Sequence, residues 1–251
     1  FRRVLFRSMR RLPGHENAGD GRLVSAIEAA LPFQLTGAQR RALTDIRADM
    51  ASDKRMLRLV QGDVGSGKTI VAALAMASAV ECGRQAALMA PTEILARQHY
   101  ERLQPLLAPA GLRVALLTGR LKSAERKTVH ADIAAGAVDI VVGTHALVQS
   151  DLAFHDLGLA VVDEQHRFGV QQRLALSAKG AAVDVLVMTA TPIPRTLALT
   201  IYGDLAVSEI AEPPKNRKPV TTAWVGEERS GSAYSRLRKH LDAGRQAYVV
   251  C

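Results

Sequence analysis

The sequence predicts an α/β fold, a mostly parallel sheet with helices on both faces. Three observations carry this. Short apolar runs at 56–61, 85–90, 113–117, 140–143, 159–163 and 185–189 read as strands. Helical periodicity lies between several of them, at 68–81, 94–107, 124–134 and 171–177, and strands that alternate with helices form parallel sheets. The polar segments follow strand ends, which is where such sheets bind ligands.

Composition agrees. A chain of 251 residues with 48% hydrophobic content can bury one substantial core, and wholesale disorder is excluded. Aromatics are only 4%, so alanine and small aliphatics must fill the space between helices and sheet. The two cysteines, Cys82 and Cys251, form no CxxC or Cys/His cluster. That excludes a disulfide scaffold and a zinc ribbon, and it predicts a cytoplasmic protein. The longest apolar run, 70–80, is too short to span a bilayer, so no membrane partner is expected.

The net charge of +9 is unevenly placed. Residues 1–22 hold six arginines against Glu16 and Asp20, a balance of +4. Residues 213–245 hold eight Lys/Arg against Glu227, Glu228 and Asp242, a balance of +5. The core between is neutral. Basic ends of this kind attract phosphate backbones, although solvated tails are the commoner explanation.

Taken in order, residues 1–30 read as an arm or linker remnant, because they open Arg-rich with no apolar stretch of signal-peptide length. A first helix is expected at 36–51. The strand at 56–61 then runs into Gly62-Asp63-Val64-Gly65-Ser66-Gly67-Lys68-Thr69, which fits GxxxxGK[ST] between a strand and a helix. Glycines let backbone N–H groups turn inward around phosphate oxygens, and the helix N-terminus adds its positive dipole end. Lys68 can reach the β/γ-phosphates and Thr69 can bind Mg2+. The expected ligands are therefore ATP and Mg2+.

A metal partner should stand at another strand end. The run 159–162 ends at Asp163-Glu164. Asp163 suits Mg2+, and Glu164 can orient or deprotonate an attacking water. Residues 212–219, EPPKNRKP, have the prolines and cations of a linker. Beyond it a strand is expected at 220–225, a helix at 232–242 and a strand at 246–251. The sequence stops inside that last apolar run, so 213–251 is expected to be a linker and the truncated start of a second lobe, with 31–212 forming the first.

The strings GDVGSGKT, APTEILARQH, GTHAL, DEQH and TATPIPRT together resemble superfamily 2 helicases of the DExH type. DEQHRFGVQQR and TATPIPRTLALT narrow the resemblance to its bacterial branch that acts on branched DNA. The resemblance is dense from Leu31 to about Glu212. It implies a RecA-like P-loop NTPase lobe with an ATP site, DNA contacts and an ATP-driven motor activity used in DNA repair and recombination.

Residue by residue, the resemblance implies that Gln39, in LTGAQ, reads the adenine edge and that Phe33 stacks on the base. Thr92 and Arg97 in the segment after the second strand, Thr118-Gly119 after the third, and Thr144-His145 after the fourth are implied DNA contacts, largely to backbone. Thr189 and Thr191 are implied to couple nucleotide state to DNA movement, with hydroxyls available to Asp163 or His166. His166 is implied as a γ-phosphate sensor or interlobe contact, beside the catalytic Lys68, Asp163 and Glu164.

The implied partners are branched or duplex DNA, a second RecA-like lobe and a wedge domain, in a monomer. No QxxGRxGR string occurs in these 251 residues, so the arginine finger expected from a second lobe is not among them. Coupling-factor-like or primosomal duplex translocases remain an alternative reading. So do a non-motor P-loop nucleotide-binding module and a small-molecule P-loop kinase.

Overall fold

Strands β2 (Gln85–Met89), β4 (Ile140–Gly143), β5 (Leu157–Val162) and β6 (Asp184–Thr189) are buried at every position. Helices cover both faces of a parallel sheet, so a continuous apolar run is what its central strands need. The computed structural model describes residues 13–163, 175–191, 205–212 and 221–248. With β1 (Leu57–Gly62), β3 (Val114–Leu117) and β7 (Ala206–Ile210), these strands form one seven-stranded sheet in the order β3-β4-β2-β5-β6-β1-β7. Every pairing is parallel. The C-terminal ends of all seven strands therefore lie along one edge.

Six strands stand where the sequence puts them. The seventh, β7, was not expected. Its residues alternate in exposure, with Ser208 and Ile210 buried and Val207 and Glu209 exposed. It is an edge strand, and its period of two never makes an apolar run. Arg58 of β1 fixes it from the side, donating to Ser208 Oγ at 2.7 Å and to Asp49 at 2.9 Å.

Helix α1 (Arg22–Ala30) is a second departure from expectation. Residues 13–30 are not an arm. Asn17, Val24 and Ile27 are buried, and burying the last two stabilises the fold by roughly 1.5–3 kcal/mol each. The helix has no side-chain cap of its own. Glu81, the last residue of α3 (Lys68–Glu81), supplies one: its carboxylate accepts the N–H groups of Gly21 at 2.8 Å, of Val24 at 3.2 Å, and of Leu23. A carboxylate on a helix N-terminus meets both the unpaired donors and the dipole. Asn17 also donates to Asp184 at 2.7 Å, tying this segment to the start of β6.

Helix α2 (Gly37–Met50) begins with a capping box between Thr36 and Gln39. Helix α3 buries ten consecutive residues, Ile70 to Ala79, because five of them are alanine and the backbone can lie close to its neighbours. Helix α4 (Glu93–Leu107) is capped by Thr92, whose hydroxyl accepts from Leu95 at 3.2 Å, and it buries the stripe Ala96, His99, Leu103 and Leu107. Helix α5 (Ser123–Ala134) follows β3 and buries Ile133. Of the expected helix at 171–177, residues 175–177 are helical and the rest lies outside the described residues.

The chain divides into two units, Phe1–Pro214 and Lys215–Cys251. In the second, helix α6 (Ser230–Asp242) forms where a helix was expected. The strands expected at 220–225 and 246–251 do not appear at their described residues, 221–225 and 246–248. A strand needs a neighbour to pair its backbone groups, and no described residue pairs them there.

Candidate functional site: a phosphate loop and an acidic strand end

The loop after β1 is built around its glycines. Gly65 (φ +81°) and Gly67 (φ +87°) take left-handed conformations that side chains resist. A Cβ on Gly67 would stand 2.2 Å from Gln39 Nε2, whereas one on Gly65 would meet nothing within 4 Å. The loop is thus packed on the α2 side and open at Gly65. Asp63, Val64 and Gly65 face solvent, while Ser66 is buried.

Lys68 folds back over the loop. Its Nζ donates to the carbonyls of Gly62 at 2.7 Å and Asp63 at 2.9 Å. Helix α3 starts here with no side-chain cap. The hydroxyl of Ser66 is buried with no partner among the described residues. An uncapped helix N-terminus, an orphaned hydroxyl and an open flank suit a phosphate group. Thr69 and Asp163 offer a hydroxyl and a carboxylate, the hard oxygen donors that Mg2+ takes.

Gln39 was expected to read an adenine edge. The structure commits both ends of its side chain elsewhere. Its oxygen accepts from Thr36 N–H at 2.9 Å and its amide donates to the Ser66 carbonyl at 2.8 Å. It is buried and serves here as a strut between α2 and the phosphate loop. Phe33, by contrast, is 53% exposed and presents a ring to solvent just before α2.

Asp163 lies two strands from the loop along the same edge, since β6 alone separates β5 from β1. Its backbone N–H donates to Met89 at 2.9 Å. Its carboxylate is 2.6 Å from His99 Nε2 of α4. His99 was not singled out in the sequence. The available signal was its position on the core stripe of α4, three residues after Ala96 and four before Leu103. Glu164 and His166 lie outside the described residues.

Thr189 and Thr191 bond to each other rather than to Asp163. Their hydroxyls are 2.9 Å apart, and Thr191 N–H donates to Thr189 at 3.3 Å. This is a local hydroxyl turn at the end of β6.

The expected DNA contacts divide. Thr92 is half-buried and caps α4, while Arg97, Gly119 and His145 are exposed on the segments after β2, β3 and β4. Thr118 and Thr144 are only 3% and 2% exposed, and the Thr144 hydroxyl, like that of Ser66, has no partner among the described residues. Thr118 and Thr144 each stand one residue beyond their strands, β3 and β4. Arg120 stands beside Gly119 and was not anticipated. It is almost fully exposed and pairs with Glu93 at 2.9 Å.

Residues 36–200 match the DEAD/DEAH box helicase family over most of the first unit. The chain belongs to that family. Among curated DEAD/DEAH box relatives, it is similar to the ATP-dependent DNA helicase RecG of Streptococcus pneumoniae serotype 4, 53% identical over 227 residues, 90% of this chain and 34% of that protein. It is 53% identical over 222 residues to RecG of Bacillus subtilis, 88% of this chain and 33% of that protein. It thus spans about a third of the length of these relatives. The structure is similar along 100% of the chain to 34% of a RecG chain solved on a three-way DNA junction, with a TM-score of 0.89 and 43% identity. A DNA- and AMPPNP-bound helicase, MrfA, matches at a TM-score of 0.62 and 17% identity over 91% of this chain and 35% of that one, a likeness of fold alone. No helix among the described residues is long and apolar enough to cross a membrane.

Proposed function

We propose that this chain is the ATP-binding lobe of a RecG-type DNA motor, which couples ATP hydrolysis to remodelling of branched DNA such as stalled forks and recombination intermediates. The observation that carries the reading is the shared edge: the phosphate loop leaves β1 and Asp163 leaves β5, with one strand between them. The likeness to a RecG bound to a three-way junction supports the choice of DNA as the polymer.

The chain's own groups divide the work. Backbone N–H groups of 62–69 and the start of α3 hold phosphate oxygens. Lys68 exchanges the Gly62 and Asp63 carbonyls for the β/γ-phosphates. Thr69 and Asp163 hold Mg2+, which when bound neutralises charge on those phosphates. Glu164 orients and deprotonates the attacking water. Phe33 covers the base. Thr92, Arg97, Gly119 and His145, with Arg120, hold a DNA backbone across the strand ends β2, β3 and β4. A second RecA-like lobe and a wedge domain complete the motor, which works in the cytoplasm as a monomer.

The test is a titration of fluorescent ADP with Mg2+ into the wild type and Lys68→Ala. Loss of a charge-assisted contact worth about 1.5–3 kcal/mol weakens binding by roughly 10- to 150-fold. Equal affinity in both proteins removes the phosphate loop from the reading.

A further inference from the structure

The motor reading leaves His99 without a role, yet His99 makes the shortest described contact to the acidic strand end. We infer that His99 is the positioning residue for the metal-binding carboxylate of Asp163. The inference rests on the phosphate-site reading above.

The geometry is specific. His99 Nε2 lies 2.6 Å from Asp163 Oδ2, and the two side chains are only 8% and 14% exposed. An ionised carboxylate can only accept, so Nε2 carries the proton. Nδ1 is buried with no partner among the described residues.

Asp163 is therefore held at two points by one stretch of chain. Met89, at the end of β2, accepts its backbone N–H at 2.9 Å, and His99, ten residues later on α4, holds Oδ2. Oδ1 has no hydrogen-bond partner among the described residues and would be the oxygen available to Mg2+. A carboxylate on a lone χ1–χ2 pair would otherwise sample several rotamers, and each would aim its oxygens differently. An outer partner that fixes a ligand's orientation is worth about 10- to 100-fold in metal affinity.

The burial pattern argues against a packing role alone. The helix stripe Ala96, His99, Leu103, Leu107 is otherwise apolar. A leucine at 99 would serve the core without the cost of burying an imidazole. The same helix presents Arg97 to solvent, so the segment leaving β2 has one residue turned towards the proposed DNA path and another turned towards the proposed metal.

The experiment uses the whole 251-residue chain. Fluorescent ADP is titrated in EDTA and again across a Mg2+ series, for the wild type, His99→Ala and His99→Gln. The expected result is that His99→Ala keeps its EDTA affinity within about twofold and raises the Mg2+ midpoint by about tenfold or more. His99→Gln, which keeps an N–H donor of similar reach, recovers part of the shift. On the wild type, long-range 1H–15N spectra of His99 show the Nε2–H tautomer.

An unchanged Mg2+ midpoint in His99→Ala overturns the inference while leaving the phosphate site standing. So does an equal loss of affinity with and without Mg2+, which marks a purely structural residue, or an Nδ1–H tautomer in the wild type. If His99→Ala does not fold, the Mg2+ midpoint of His99→Gln and the tautomer decide. A wild type that binds no nucleotide in either condition overturns the phosphate-site reading, and this inference with it.

Discussion

The side-chain amide of Gln39 donates to the Ser66 carbonyl across 2.8 Å and so ties the start of α2 to the phosphate loop. Gly67 lies against the same amide, where any Cβ would collide with it. Replacing Gln39 by Ala leaves the Ser66 carbonyl and the Thr36 N–H without partners. The expected cost is about 1–3 kcal/mol of folding stability. Urea denaturation reads it, and a midpoint equal to that of the wild type shows that the strut is dispensable.

Asp184 makes stability depend on pH in an unusual direction. Burial pushes its carboxyl up to about 7 from an ordinary 3.8, against the opposing hydrogen bonds from Asn17 and Met56. The folded state thus holds a proton that the unfolded chain releases. The contribution is fully present below about pH 4 and is lost as pH rises through about 7. Its slope reaches about 1.4 kcal/mol per pH unit. Asp184→Asn removes this slope, with Asn17 turning its carbonyl towards the new amide. The difference in urea midpoint between the two proteins from pH 5 to 8 is the measurement, and parallel curves contradict the account.

Binding to DNA should be weak, indifferent to sequence and salt-sensitive. Arg97 and Arg120 are exposed cations on the proposed path, so Arg97→Ala and Arg120→Ala should each lower the slope of log K against log salt by about 0.9 on duplex DNA. Glu93→Gln releases Arg120 from its ion pair and should tighten binding. Fluorescence anisotropy at several salt concentrations checks all three, and unchanged slopes place the contacts elsewhere.

These 251 residues should hydrolyse ATP slowly and without stimulation by forked DNA. On the proposed reading Lys68, Thr69, Asp163 and Glu164 would place phosphates, metal and water, but an arginine finger is worth about 10³–10⁵ in turnover. A steady-state assay beside a protein carrying a second lobe tests this. Equal, DNA-stimulated rates in the two would mean that one lobe suffices.

Much of this site was legible because the chemistry is local. The glycines, Lys68 and Thr69 occur in eight consecutive residues, and the strand and helix around them follow from apolar periodicity. What escaped the sequence was distant or two-sided. Helix α1 hid in an Arg-rich opening, and its cap, Glu81, comes from another helix. The role of Gln39 depends on Ser66, 27 residues away, and that of His99 on Asp163, 64 residues away. Thr118 and Thr144 sit at strand ends, where sequence position does not say which face a side chain takes.

The place of β7 bears on how the protein is made. Gly62 pairs with Ile210, and Ile210 O stands 2.8 Å from where a Gly62 Cβ would be, so β7 walls the phosphate loop. On the other side β1 pairs with β6, with Leu57 opposite Val185. Both neighbours of β1 are therefore translated more than 120 residues after it. A nascent chain that has cleared the ribosome through Gly143 has already made the whole phosphate loop but neither of its walls. Until Ile210 emerges, β1 keeps at least one bare edge open to other chains, and long-range parallel pairing of this kind is slow. The latest strand thus sets when the earliest motif becomes a site.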